Sequence, residues 1–188
     1  MKEQEGKERG LEKEFAQLKR QVESMPKAAQ ENKIVLICFS GDLDKALAAF
    51  VIATGAAAMG MDVVMFFTFW GTPLLRDKEK KVGGKDLMGR MFGAMLPKGL
   101  SKVKLSQMNM GGMGTAMMKA LMKKKNIASL EEMLQLAAEM DVRIFICEMS
   151  MDLMGFKREE MIDYPNLIFC GVAKMLEEAQ SSKVQFFI

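Results

Sequence analysis

The chain reads as short apolar runs separated by longer stretches with helical spacing. Residues 33–39 (K-I-V-L-I-C-F) are almost continuously apolar, the mark of a central strand in a parallel sheet. A helix is predicted over 42–59 and closed by Gly60, with alanines at 46, 48, 49, 53 and 56–58 for close approach to the sheet. Residues 62–69 form a second apolar run, broken by W-G-T-P at 70–73. A helix over 129–140 is marked by Ser129 as cap and by Glu131 and Glu132 in its first turn. Residues 142–147 read as a short buried strand ending on Cys147, and Ser150 can cap a helix that begins with Met151 and Asp152. A helical turn at 157–162, an edge strand at 167–170, a helix at 172–179 and a last strand at 184–188 complete the pattern. Five strands alternating with helices predict an α/β domain with a parallel sheet.

Two segments stand outside that alternation. Residues 1–31 are rich in Glu, Lys and Gln and carry one narrow apolar stripe, Leu11, Phe15, Leu18 and Val22. This predicts an amphipathic N-terminal helix that docks on the domain or pairs with a second subunit, bent or ended by Pro26 and disordered before Gly10. The domain proper is expected over 32–188, with a helical insertion at 74–125. Nine of the 21 methionines fall between Met88 and Met122. Leu87, Met91, Ala94 and Met95 lie on one helical face, with Gly89 and Gly93 four apart. A second helix follows Gly111 and Gly112, and methionine suits adaptable binding surfaces, so the insertion reads as a lid or a subunit contact.

Charge separates the same segment from the rest. Residues 76–125 hold thirteen Lys and Arg against three acids, while the whole chain carries only +3. That basic stretch could attract an anionic substrate, a protein or a membrane surface, or simply form the solvated side of amphipathic helices; membrane contact is the less favoured of these. No nucleic-acid partner is expected. The longest uncharged run before it, 46–61, is shorter than the roughly 18–20 residues that span a bilayer. The first 33 residues are too polar for a secretory signal, and three cysteines fit a reducing cytosol, so a cytoplasmic protein is expected.

Missing residues narrow the chemistry further. Without histidine there is no Ser-His-Asp or Cys-His pair and no histidine metal ligand; without C-x-x-C there is no zinc ribbon or thioredoxin-type site. Neither a metal nor a cofactor is expected. The S-G-D turn at 40–42 could cradle a phosphate, but Asp42 and Asp44 already occupy the positive end of that helix and argue for ordinary capping. The G-G-M-G-T-A string at 111–116 lacks dinucleotide-binding spacing.

Cys147 is the remaining candidate. A thiol where a strand stops and a helix starts lies at the carboxyl edge of the sheet, where open α/β sheets bind ligands. A helix N-terminus favours the nucleophilic thiolate. The alternative is an inert buried cysteine. Ser40, Gly41, Trp70, Gly71, Met149 and Ser150 are candidates for the wall of the site or for contacts at the helix start, and Trp70 serves equally as an aromatic at the edge of the core.

The stretch C-E-M-S-M-D-L-M-G at 147–155 resembles the cysteine motif of the DsrE/DsrF-like sulfur-relay proteins, in particular their Met-rich branch labelled "peroxiredoxin-like" or "DsrE-related". S-G-D-L-D-K-A at 40–46, F-F-T-F-W-G at 66–71 and M-N-M-G-G-M-G-T-A-M-M at 108–118 carry the same resemblance, which extends from about residue 32 to the C-terminus. It implies a three-layer α/β/α sandwich with sheet order 4-3-2-1-5, and oligomers. It also implies a persulfide on Cys147, hence a sulfurtransferase that takes sulfane sulfur from a donor protein or small thiol and passes it to a partner thiol. In that order Cys147 and Cys170 end neighbouring strands, with Cys170 expected as a nearby reduced thiol rather than a resolving one. Glu148 opposes this chemistry, since a carboxylate beside a cysteine disfavours its thiolate. The alternatives are a non-enzymatic oligomeric binding module and a thiol peroxidase; residues 140–146 lack the P-x-x-x-T/S-x-x-C pattern that the last requires.

Overall fold

Val35 and Leu36 are both fully buried, although consecutive strand residues point to opposite faces of a sheet. Their strand is therefore covered on both sides, as its unbroken apolar sequence requires. The computed structural model describes Phe15, Lys19 and residues 30–80, 82–84 and 87–188. The stripe expected on an N-terminal helix falls outside these residues apart from Phe15.

The α/β unit, Glu31–Ile188, is built on five parallel strands. These are β1 (Glu31–Cys38), β2 (Asp62–Phe67), β3 (Arg143–Cys147), β4 (Leu167–Cys170) and β5 (Ser182–Phe187). Their order is β4-β3-β2-β1-β5, the order implied by the resemblance. One face packs Leu36, Met65, Phe67, Ile144 and Ile146 against α1 (Leu43–Ala58) and α4 (Leu130–Glu139). The other packs Val35, Val64, Phe66, Phe145, Cys147 and Cys170 against Met175 and Ala179 of α6 (Val172–Ser181). The result is a helix–sheet–helix sandwich.

Local rules explain most boundaries. Ser129 and Glu132 form the expected capping box on α4: Ser129 Oγ accepts from the Glu132 N–H at 3.3 Å, and Glu132 Oε2 accepts from the Ser129 N–H at 2.7 Å. The strand predicted over 62–69 stops at Phe67, because the chain turns through Phe69 (φ 43°) into a 3-10 segment, Phe69–Leu75. Leu74 and Leu75, expected to open the insertion, are instead core residues.

The insertion itself contains α2 (Leu87–Met95) and α3 (Met113–Lys124). Helix α2 buries Gly89 and leaves Leu87 and Met95 82% and 75% exposed. The Gly93 carbonyl accepts from both Nη atoms of Arg76 at 3.2 and 3.3 Å. Gly89, the Gly93 carbonyl and the half-buried Phe92 thus anchor α2, and Leu87, Met88, Met91 and Met95 face outward.

Candidate functional site

A strand places alternate residues on one face, so the α6 side of β3 carries Arg143, Phe145 and Cys147 in turn. Arg143 ties the amino end of that row to α6: its Nη1 donates to Glu178 Oε1 at 3.0 Å. Cys147 ends the row. Its backbone is extended (φ −70°, ψ 111°), and the next residue begins α5 (Glu148–Met154). The thiol thus sits at a strand-to-helix junction, as the sequence predicts, but it is only 3% exposed.

Helix α5 starts earlier than predicted, and Ser150 lies inside it rather than at its cap. Cys147 occupies the capping position, with no side-chain hydrogen bond there. Ser150 is fully buried and reaches to the neighbouring strand end instead. Its Oγ lies 3.0 Å from Thr68 Oγ1 and accepts from the Phe69 N–H at 2.9 Å. This joins the first turn of α5 to the end of β2. Glu148 pairs with Arg158, whose guanidinium stacks 5.0 Å from the Phe169 ring centre. Met149 is exposed.

The three cysteines separate by face. Cys38 ends β1 in the cluster on the α1 side, and burial pushes its thiol up to about 12. Cys147 and Cys170 share the α6-side cluster and are register partners at the ends of β3 and β4. All three are free thiols. Burial first, then the neighbouring Cys147 and Glu148, push the Cys170 thiol up to about 11.

Ser40, Gly41 and Trp70 do not meet Cys147. They line an open cleft of about 730 Å³ at the ends of β1 and β2, together with Lys45, Met95, Lys98, Lys102 and Lys104. Trp70 is 48% exposed there. Gly41 and Gly71 act through close approach: a Cβ would fall 2.4 Å from the Trp70 carbonyl oxygen in the first and 2.2 Å from that of Cys38 in the second. The helix start that follows the S-G-D turn is occupied by the insertion. The Leu43 N–H, at the start of α1, donates to the Lys104 carbonyl at 2.8 Å. Asp44 accepts from the Ser106 N–H at 2.8 Å and from Ser106 Oγ at 2.6 Å. Burial raises the Asp44 carboxyl, but these bonds outweigh it and hold the group below the usual range.

The residues singled out in the sequence therefore form two groups on one edge of the sheet. One is the Cys147–Cys170 pair; the other is the cleft of Ser40, Gly41 and Trp70. Phe69, bonded to Ser150 and adjacent to Trp70, connects them. The lysine rim from 98 to 104 was legible only as a charge surplus. The Ser150–Thr68 link had no sequence signal, because serine near a helix start reads first as a cap.

Among the described residues no group of three or more His, Cys, Asp or Glu could hold a metal, and no helix is long and apolar enough to cross a membrane.

Comparison with known proteins agrees with the fold. The chain is 42% identical over 159 residues to YrkE of Bacillus subtilis, an uncharacterized protein; the match covers 85% of this chain and 98% of YrkE. It is 35% identical over 167 residues to the sulfur carrier protein DsrE2 of Allochromatium vinosum, covering 85% of this chain and 99% of that one. The crystal structure of the E. coli ychN protein shares the fold at 9% identity, with a TM-score of 0.51 over 83% of this chain and 98% of that chain. The profile of the DsrE/DsrF/DrsH-like family matches residues 30–187, and the chain belongs to that family.

Proposed function

We propose that the protein is a sulfur carrier that holds sulfane sulfur as a persulfide on Cys147 and hands it to a partner thiol. The observation that carries this reading is the position of Cys147, at the junction of β3 and α5 on the carboxyl edge of the sheet. A relative named as a sulfur carrier, similar over nearly its whole length, supports it.

In the loading step the Cys147 thiolate attacks the outer sulfur of a donor persulfide or polysulfide. A new S–S bond forms on Cys147, the donor's S–S bond breaks, and its electron pair leaves with the donor thiolate. In the unloading step an acceptor thiolate attacks the terminal sulfur, and the electron pair returns to Cys147. No histidine, metal or external oxidant takes part. Glu148, the carboxylate next to Cys147 in the chain, is paired with Arg158. Because the thiol is buried, loading requires the start of α5 or α6 to give way. Alkylation of Cys147 in the native protein should accordingly be slow relative to the unfolded chain.

Exposure to polysulfide followed by intact-mass measurement tests the reading. Wild type should gain about 32 Da, one sulfur atom, and lose it to dithiothreitol. Cys147→Ser should gain nothing while its circular dichroism is unchanged. An adduct confined to Cys38 would sink the assignment.

The exposed methionines favour a second reading, a non-enzymatic oligomeric binding module. Met95, Met113 and Met117 are each at least two-thirds exposed on α2 and α3. That reading predicts no adduct at any cysteine.

A further inference from the structure

Cys147 and Cys170 are direct register partners on adjacent parallel strands, and each is the last residue of its strand. Adjacent strands lie about 4.8 Å apart, within the Cα separation of about 4.4–6.8 Å that disulfides use. Distance alone does not allow a bond, since the side chains must also leave the same side of the sheet. Here they do: both thiols belong to the one cluster beneath α6, with Phe145 and Met175. Cys38 belongs to the opposite face. Beyond both cysteines the chain leaves the sheet, into α5 after Cys147 and through Gly171 after Cys170, so neither is held in the middle of a strand.

We propose that Cys170 is a resolving thiol, which attacks the Cys147 persulfide and releases sulfide when no acceptor arrives. The inference rests on Cys147 carrying sulfane sulfur. In the step, the Cys170 thiolate attacks the inner sulfur, Cys147 Sγ. A Cys147–Cys170 disulfide forms, and the bond from Cys147 Sγ to the outer sulfur breaks. The outer sulfur takes the bonding electron pair and leaves as hydrosulfide, protonated by the proton that Cys170 gave up. One persulfide and one thiol thus become one disulfide and one hydrogen sulfide. The sulfane sulfur is the oxidant and is itself reduced, so no other co-reactant is needed.

The environment of Cys170 sets the timing. Its apolar surroundings and the adjacent Cys147 keep it protonated near neutral pH, with a value of about 11. Resolution is therefore slow relative to transfer to an acceptor thiol that has docked, yet it needs no encounter, because the attacking group is already in place. The released state is a disulfide that cannot be reloaded until a reductant opens it. The activity is thus a self-limiting discharge of unclaimed sulfur.

Two measurements on the full chain test this. First, the reduced protein is treated with diamide and peptide-mapped without reductant. The expected product links the Cys147 and Cys170 peptides and leaves Cys38 free. Absence of that link overturns the inference whatever the sulfur chemistry of Cys147. Second, wild type and Cys170→Ser are loaded with polysulfide, desalted, and followed for sulfide release and remaining adduct. Wild type should release about one sulfide per adduct while its disulfide appears. Between pH 7 and pH 9 its rate should rise by up to about 100-fold, because the thiolate is the attacking form. Cys170→Ser should keep its adduct at least about tenfold longer and lose the steep pH dependence. Equal release from the two proteins overturns the inference. If neither takes an adduct although diamide forms the bridge, the sulfur-carrier reading fails, and the discharge step fails with it.

Discussion

Replacing Ser150 with alanine removes the acceptor of the Phe69 N–H and the partner of Thr68 Oγ1, both in buried surroundings. An orphaned buried donor costs about 1–3 kcal/mol, so Ser150→Ala should lower the unfolding free energy by that amount, read as a lower urea midpoint at an unchanged m-value. Because the same bond fixes the first turn of α5, the substitution should also speed alkylation of Cys147. A loss of stability without faster alkylation would confine Ser150 to the core. Cys38→Ser, on the opposite face, should leave persulfide loading at its wild-type level; a mass shift halved in that variant would contradict the separation by face. The glycines divide in the same way by what surrounds them. Gly71→Ala sets a methyl against the Cys38 carbonyl and must part the ends of β1 and β2, at a cost of about 2 kcal/mol or more. Gly55→Ala in α1 meets nothing within 4 Å and should stabilise by about 0.5–1 kcal/mol. Thermal melts of the pair should move in opposite directions.

Among the elements, α6 is held to the sheet by charge as well as by apolar contact. Glu178 accepts from Lys33 Nζ at 2.9 Å and from Arg143 at 3.0 Å, with little access to water. Burial raises its carboxyl, but the bonds from Lys33 and Arg143 outweigh it and hold the group down at about 2. A folded value below the unfolded one contributes stability that is fully present above the unfolded value, near 4.5. That contribution disappears as pH falls from there towards 2. The size is on the order of 3 kcal/mol. Urea midpoints between pH 7 and pH 3 should fall more steeply for wild type than for Glu178→Gln. Parallel curves would show that the cluster contributes nothing to docking of α6. Since α6 covers both Cys147 and Cys170, acid should also expose these thiols to alkylation before the molecule unfolds as a whole.

For the whole molecule, the unburied surface is the deciding quantity. Leu87 and Met95 on α2, Met113 and Met117 on α3, and Phe187 at the end of β5 are each about two-thirds or more exposed. Exposed apolar side chains in this number suit burial against a second copy of the chain. We therefore expect a homo-oligomer. Light scattering at micromolar concentration should give a multiple of the chain mass, and Met113→Lys with Met117→Lys should lower it. A monomer at that concentration would remove the expectation. The lysines around the Trp70 cleft lie on the same edge of the sheet as Cys147, and we expect a negatively charged partner to approach from that side.

Hydrophobic patterning placed most of the strands and helices. Runs such as 33–39 and 142–147 read as buried strands, and the Ser129–Glu132 pair fixes a helix start by bonds within four residues. The cysteine motif likewise marked the strand-to-helix junction, because that signal is contiguous in the chain. What lay beyond the sequence was every relation between segments distant along it. Ser150 could not be distinguished from a cap until β2 was set beside α5. The helix start after the S-G-D turn could not be known to be occupied until residues 104–106 crossed it. The apolar stripe of α2 could not be known to point outward, since periodicity says that a helix has an apolar face but not which way the face turns. The pairing of Cys147 with Cys170 depends on strand register, and a slip of one residue would put the two thiols on opposite faces. Only the packed sheet decides that register, because it is the arrangement that buries both faces at once.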